Sequence, residues 1–235
     1  MKAILNVAGI VVALLGGSTF YLYDRSTTSE RRADSLAVVT DTLKSEASRL
    51  HVTTTMLTAR LDTQTAAASH QADAEVAQLR ATYDELVHDM QGEIAQGQVR
   101  ITRLADRLRV SMVDRILFPS GEADLTPAGL RVLHRVGNIL KTTQGKIIRV
   151  EGHTDNVVIS SRLKGTFPTN WELSTSRATN VVRFLQDSVG IDPARLQAIG
   201  FSEYHPVASN ATARGRSRNR RIEIALLPMP AGGEP

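Results

Sequence analysis

Three groups of side chains in this sequence have the types and spacing for chemistry. Asp155 ends the run Gly152-His153-Thr154-Asp155, and Arg177 lies in Leu173-Ser174-Thr175-Ser176-Arg177. A guanidinium holds a carboxylate through two parallel hydrogen bonds, and a carboxylate takes a cation, so the two residues read either as a host for charged groups or as a surface ion pair worth little by itself. Glu151, His153 and Asp155 fall at alternate positions of a strand pattern and so share one face. An acid, imidazole, acid row of that kind can hold a divalent metal; the other reading of His153 is a packed or hydrogen-bonded histidine. Arg214, Arg216, Arg218, Arg220 and Arg221 form a basic run that can contact phosphates. No Ser, Cys or His constellation with an orienting third partner appears, so hydrolysis is not expected; no cofactor is expected either.

The elements that must position these residues are readable. Residues 111–118 read as a strand. Thr126 as N-cap and Pro127 at the first helical position open a helix with apolar Leu130, Leu133, Val136, Ile139 and Leu140. Residues 146–153 alternate as a strand that delivers Asp155 just past its end, where a rigid sheet can hold a loop side chain. Ser174 reads as the cap of a second helix, which puts Arg177 at N3 near the positive dipole end. Its apolar stripe is Ala178, Val181, Val182, Leu185 and Val189, and Gly190 stops it. Short strands follow at 196–200 and 221–227. The order β-α-β-α-β-β implies an α+β sandwich with helices on one face of a small mixed sheet. Trp171 reads as a core or loop anchor.

The chain carries 42% hydrophobic and 22% charged residues, and no cysteine, which excludes disulfides and a lipid-modified N-terminal cysteine. Charge is uneven. Residues 1–110 hold 12 Lys+Arg against 13 Asp+Glu, whereas residues 111–235 hold 16 against 11, so the basic excess belongs to the C-terminal part. A basic face attracts polyanions: nucleic acid, anionic lipid or the carboxylate-rich peptides of a cell wall. Residues 3–23 contain no charge and one amide, Asn6, and at ~1.5 Å per residue they reach the ~30 Å of a hydrocarbon core. This predicts a single membrane-spanning helix. Lys2 favours a cytoplasmic N-terminus, and Phe20, Tyr21 and Tyr23 sit where an outer aromatic belt would lie. The alternative is a signal peptide cleaved near Gly16, Gly17 and Ser18. Both readings export the remainder, which argues against nucleic acid as a partner.

Neither glycine nor proline occurs between Gly17 and Gly92, and no proline precedes Pro119, the profile of a continuous helix. Thr27-Thr28-Ser29-Glu30 reads as a capping box at its start. Leu36, Leu43, Leu50 and Leu57 recur every seven residues, and Val87, Ile94, Ile101 and Leu108 form a second seam offset in phase. Val and Ile at such positions favour two strands, so a parallel homodimeric coiled coil is expected. The division that results is an anchor at 1–23, a coiled-coil stalk at 24–110, a folded domain at 111–228 and a disordered tail at 229–235.

Gly152-His153-Thr154-Asp155, Asn170-Trp171-Glu172-Leu173-Ser174-Thr175-Ser176-Arg177-Ala178 and Asn219-Arg220-Arg221-Ile222-Glu223 occur in that order. Together they resemble the OmpA-like peptidoglycan-binding domain, in the version that also ends flagellar stator B subunits. The resemblance implies a ligand, the diaminopimelate side chain of peptidoglycan, whose free end carries an ammonium and a carboxylate on one carbon. It assigns the ammonium to Asp155 and the carboxylate to Arg177. Thr154, Asn170, Leu173 and the turn containing Phe118, Ser120 and Gly121 are the implied secondary contacts. The function implied is a non-covalent, non-enzymatic tether between inner membrane and cell wall, with a stator-like anchoring subunit of a motor or transport complex as the alternative. Stator B subunits carry an acid inside the membrane helix. None occurs in residues 3–23 here, which counts against ion conduction by this chain alone.

Overall fold

The computed structural model describes residues 2–104 and 107–229, with side chains from residue 15 onward. The chain divides into two units, residues 1–69 and 70–235.

The first unit is helical throughout its described residues, within helix α1 (Lys2–Asp89). Thr27 does not begin it. Its hydroxyl donates to Asp24 O at 3.0 Å and that of Thr28 to the same carbonyl at 2.7 Å, so these side chains fold back on the preceding turn rather than cap amides. Leu36, Leu43, Leu50 and Leu57 are all more than half exposed, an apolar seam left uncovered in the single chain. The side chains of residues 3–14 lie outside the described residues. Among the described residues no helix is long and apolar enough to cross a membrane.

The second unit places the second heptad series differently. Gln91–Ala95 form the short helix α2, and Gly97, at φ +67°, takes the left-handed conformation that ends helical winding. Beyond it β1 (Val99–Leu104) pairs antiparallel with β2 (Arg107–Val113). Ile101 and Leu108 therefore belong to strands, not to a stalk. Their neighbours alternate, with Leu108, Val110 and Met112 buried and Arg107 and Arg109 exposed, the period of a half-buried strand. The strand expected at 111–118 ends at Val113 and turns into helix α3 (Asp114–Leu117).

Helix α4 (Pro127–Thr142) starts as expected, with the Thr126 hydroxyl accepting from Gly129 N–H at 2.9 Å. Strand β3 (Lys146–His153) follows. Helix α5 (Asn170–Phe184) begins four residues before Ser174. Its cap is Thr169, which forms a reciprocal capping box with Glu172. Leu185–Val189 continue as a π-helical turn, and Gly190 at φ +78° closes it. Strands β4 (Leu196–Gly200) and β5 (Arg221–Pro228) flank the short helix α6 (Ala213–Asn219). The sheet order is β1-β2-β5-β3-β4, antiparallel except for β3 with β4.

Leu108, Val110, Met112, Ile148, Val150, Ile222 and Ile224 point from one sheet face into a core shared with Leu133, Val136 and Leu140 of α4 and Ala178, Val181 and Leu185 beyond. Leu79 and Leu86 of α1 and Met90, just beyond its end, are buried in that same core. The folded domain therefore starts well before residue 111; a cut there would remove β1, half of β2 and several core side chains. Helix α5 lies hard against β3 at Gly152, where a Cβ would stand 2.1 Å from Ser174 O. Gly152→Ala is expected to lower unfolding free energy by about 1–3 kcal/mol as backbone is forced apart; an unchanged urea midpoint would contradict that contact.

Candidate functional site

Asp155 follows β3 and is 4% exposed; Arg177, on α5, is 3% exposed. Both line one cleft of about 390 Å³. Thr154, Asn170, Leu173, Ser120 and Gly121 line it as well. Phe118 does not. Its ring lies under Arg177, 4.9 Å from the guanidinium carbon, and supports that side chain from below.

The two charged residues are not partners of each other. Arg177 donates from Nη1 to Asp114 Oδ1 at 2.7 Å and from Nε to Glu122 O at 2.8 Å. Asp155 pairs through Oδ2 with Arg220 and accepts from Val157 N–H at 3.1 Å through Oδ1. Two acids and two arginines thus face one cleft. Burial pushes the Asp114 carboxyl up against the opposing pull of Arg177 and Arg220, and burial lowers Arg177 despite Asp114. Desolvation is the larger influence on both, which marks this pair as removed from bulk water. Arg177 is the eighth residue of α5 rather than its N3 position, so the helix amides do not assist it.

Asn170 ties the rim together, donating to Val157 O at 3.1 Å and Glu203 Oε2 at 2.7 Å. Ser202, beside Glu203, adopts φ +50°, a costly conformation for serine. It is held by Thr154 N–H donating to its carbonyl and by its own N–H donating to Ser174 Oγ. The Thr154 hydroxyl is buried and has no protein partner, an unspent polar group on the cleft wall. The loop over residues 156–169 is pinned by a small core of Ala123, Ile159, Phe167 and Leu173. Leu163 closes over Gly121, where a Cβ would meet it at 2.5 Å.

Sequence reasoning missed Asp114, Arg220 and Glu203. Arg220 belongs to a motif already singled out, but its role was read only as part of a basic run. Trp171 is not a core residue; it is 46% exposed and stacks on Tyr204 at 5.5 Å.

The acid, imidazole, acid row on the other sheet face is Glu151, His153 and Glu223, with ligand-capable atoms within 4.8 Å of one another; Asp155 points into the cleft instead. Glu223 is bound by Arg221 at 2.6 Å and Arg109 at 3.0 Å, guanidinium groups occupying the place a cation would take. His153 stacks on Phe201 at 5.2 Å. Burial, with Arg221 adding to it, lowers its pKa to about 3.

Comparison with known proteins places these features. Motility protein B of Bacillus subtilis is 36% identical over 134 residues, 57% of this chain and 50% of that protein. The peptidoglycan-binding protein ArfA of Mycobacterium tuberculosis is 34% identical over 47% of this chain and 32% of its own length. The chain thus spans half or less of these curated relatives. Among solved structures, the cell wall anchor of the T6SS from Pseudomonas aeruginosa is 34% identical with a TM-score of 0.55, covering 61% of this chain and 97% of that one. A putative MotB-like protein from Desulfovibrio vulgaris is 28% identical with a TM-score of 0.61, covering 70% and 99%. The OmpA family model matches residues 117–220, which include Asp155, Arg177, Asn170 and Arg220. By that match and by the aligned wall anchor, the chain belongs to the OmpA family.

Proposed function

We propose that this protein is a non-enzymatic tether that grips peptidoglycan through the diaminopimelate of its peptide stems. The observation that carries this reading is the cleft in which Asp155 and Arg177 stand buried, each with its own counter-charge and neither paired to the other. A zwitterion with its ammonium toward Asp155 and its carboxylate toward Arg177 would meet both, and the Thr154 hydroxyl offers a further hydrogen bond. Leu173 and Leu163 supply the apolar wall for the methylene part of such a side chain.

The apolar stretch at residues 3–23 supports an inner-membrane anchor with the C-terminal unit in the periplasm, or a periplasmic protein if that stretch is cleaved. The uncovered leucine seam of the first unit supports a homodimeric coiled coil. A stator-like anchoring subunit is the second reading, favoured by the likeness to Motility protein B and the MotB-like structure. The missing acid in residues 3–23 counts against ion conduction by this chain alone.

The segment 70–229, which holds the buried core of the described residues, is expected to fold by itself and to sediment with purified diaminopimelate-type sacculi at low salt. A folded segment that stays in the supernatant would defeat the assignment.

A further inference from the structure

A second concave surface lies apart from the cleft and shares no lining residue with it. It is a groove of about 740 Å³ between β1, β2 and α6, lined by Arg100, Arg109, Arg115, Arg214, Arg218 and Arg221. One carboxylate, Glu223, lines it with them. Glu223 is already engaged by Arg109 and Arg221. The other four arginines are exposed, and none has an acidic partner among the described residues. Arg214 and Arg218 stand four apart on α6 and so share one helix face. Like charges held in a concavity repel one another, and the groove contains no second carboxylate to relieve them.

The basic run in the sequence is thus divided by the fold. Arg220 turns to Asp155 in the cleft, Arg221 to Glu223, and Arg216 donates to Asn210 O at 2.9 Å. Arg214 and Arg218 are left for the groove. Ser111, Ser217 and Thr102 add hydroxyl donors. Guanidinium forks with hydroxyls between them suit phosphate oxygens at several points along a chain. Among the described residues no aromatic side chain lines the groove, so nucleobases have no stacking platform.

We propose that this groove binds a phosphodiester-bearing anion without aromatic groups. An anionic lipid headgroup and a glycerol-phosphate polymer share that chemistry. The full chain, held in neutral detergent, is titrated calorimetrically at low ionic strength with glycerophosphoglycerol and with a short oligo(glycerol phosphate). Arg214→Gln with Arg218→Gln is expected to weaken binding about tenfold or more. Arg49→Gln with Arg183→Gln, exposed arginines that do not line the groove, removes the same charge and is expected to change it less than about twofold. Affinity that rises with chain length identifies a polymer, and equal affinity for the single diester identifies a headgroup; both support the groove. Three results overturn it: no heat with either probe, equal loss in the two double variants, or equal binding of an oligoglutamate of matched charge. Asp155→Asn, outside the groove, should change these titrations by less than about twofold, which keeps this site separable from the cleft.

Discussion

Asp155→Asn is expected to weaken binding of a diaminopimelate-containing muropeptide by roughly 10- to 100-fold. The change keeps the side chain's shape and its acceptor for Val157 N–H. It removes the charge that would meet the ligand ammonium, and charged hydrogen bonds contribute about 1.5–3 kcal/mol. It also leaves Arg220 without its partner, so an uncompensated guanidinium would face the incoming ammonium. A binder driven only by net positive charge would instead hold the acidic wall more tightly, since the substitution makes the protein more basic. Arg177→Lys should weaken binding too, because an ammonium cannot span Asp114 and a ligand carboxylate with a planar fork. Arg214→Gln, outside the cleft, should alter salt dependence and leave muropeptide affinity within about twofold. Thermal melts establish that each variant is folded. Parent-like affinity in Asp155→Asn would show the site to be wrong.

A second large effect is expected from pH. His153 is buried with neither ring nitrogen hydrogen-bonded and the Glu151 carboxylate 3.9 Å from Nε2, and its pKa falls from 6.5 to about 3 on folding. Above pH 6.5 the ring is neutral in both states and contributes no pH dependence. Between 6.5 and 3 the unfolded chain takes a proton that the native state refuses, so stability falls as pH falls. From pH 7 to pH 5 this one group should cost about 2 kcal/mol. Glu151, whose carboxyl is raised by burial, acts in the opposite direction, so the informative quantity is a difference between proteins. His153→Phe retains a ring to stack on Phe201 and should lose less stability than the parent over that interval. Urea denaturation at both pH values measures it, and parallel losses in parent and variant would refute the assignment.

The sequence was most legible where local pattern and tertiary role agree. Residues 146–153 alternate and are one strand, and Thr126 with Pro127 begins α4. The motifs brought Asp155 and Arg177 to one cleft. Their counter-ions were hidden because long-range pairing supplies them. Val113 aligns with Arg221 across β2 and β5, and Asp114 N–H donates to Arg220 O. That register brings both partners to the cleft, and no local spacing encodes it. The edge hairpin was missed for a different reason. Val87, Ile94, Ile101 and Leu108 keep a seven-residue interval by coincidence, while the single residue Gly97 changes the backbone from helix to strand. Helix α5 begins four residues before Ser174, which resembles a cap, yet whose hydroxyl serves Trp171 O and Ser202 N–H.

The paired charges of the cleft bear on how long an attachment lasts. With Asp155 on Arg220 and Arg177 on Asp114, the cleft has no unbalanced charge before anything enters. For the grip proposed here, capture is an exchange of partners, and release hands each side chain back to a neighbour already in place. Little reorganisation is needed in either direction, so the lifetime of each attachment is set by the ligand's own contacts. A linker built this way yields and re-engages under load, and many such linkers in parallel can follow a wall whose strands are being cut and replaced.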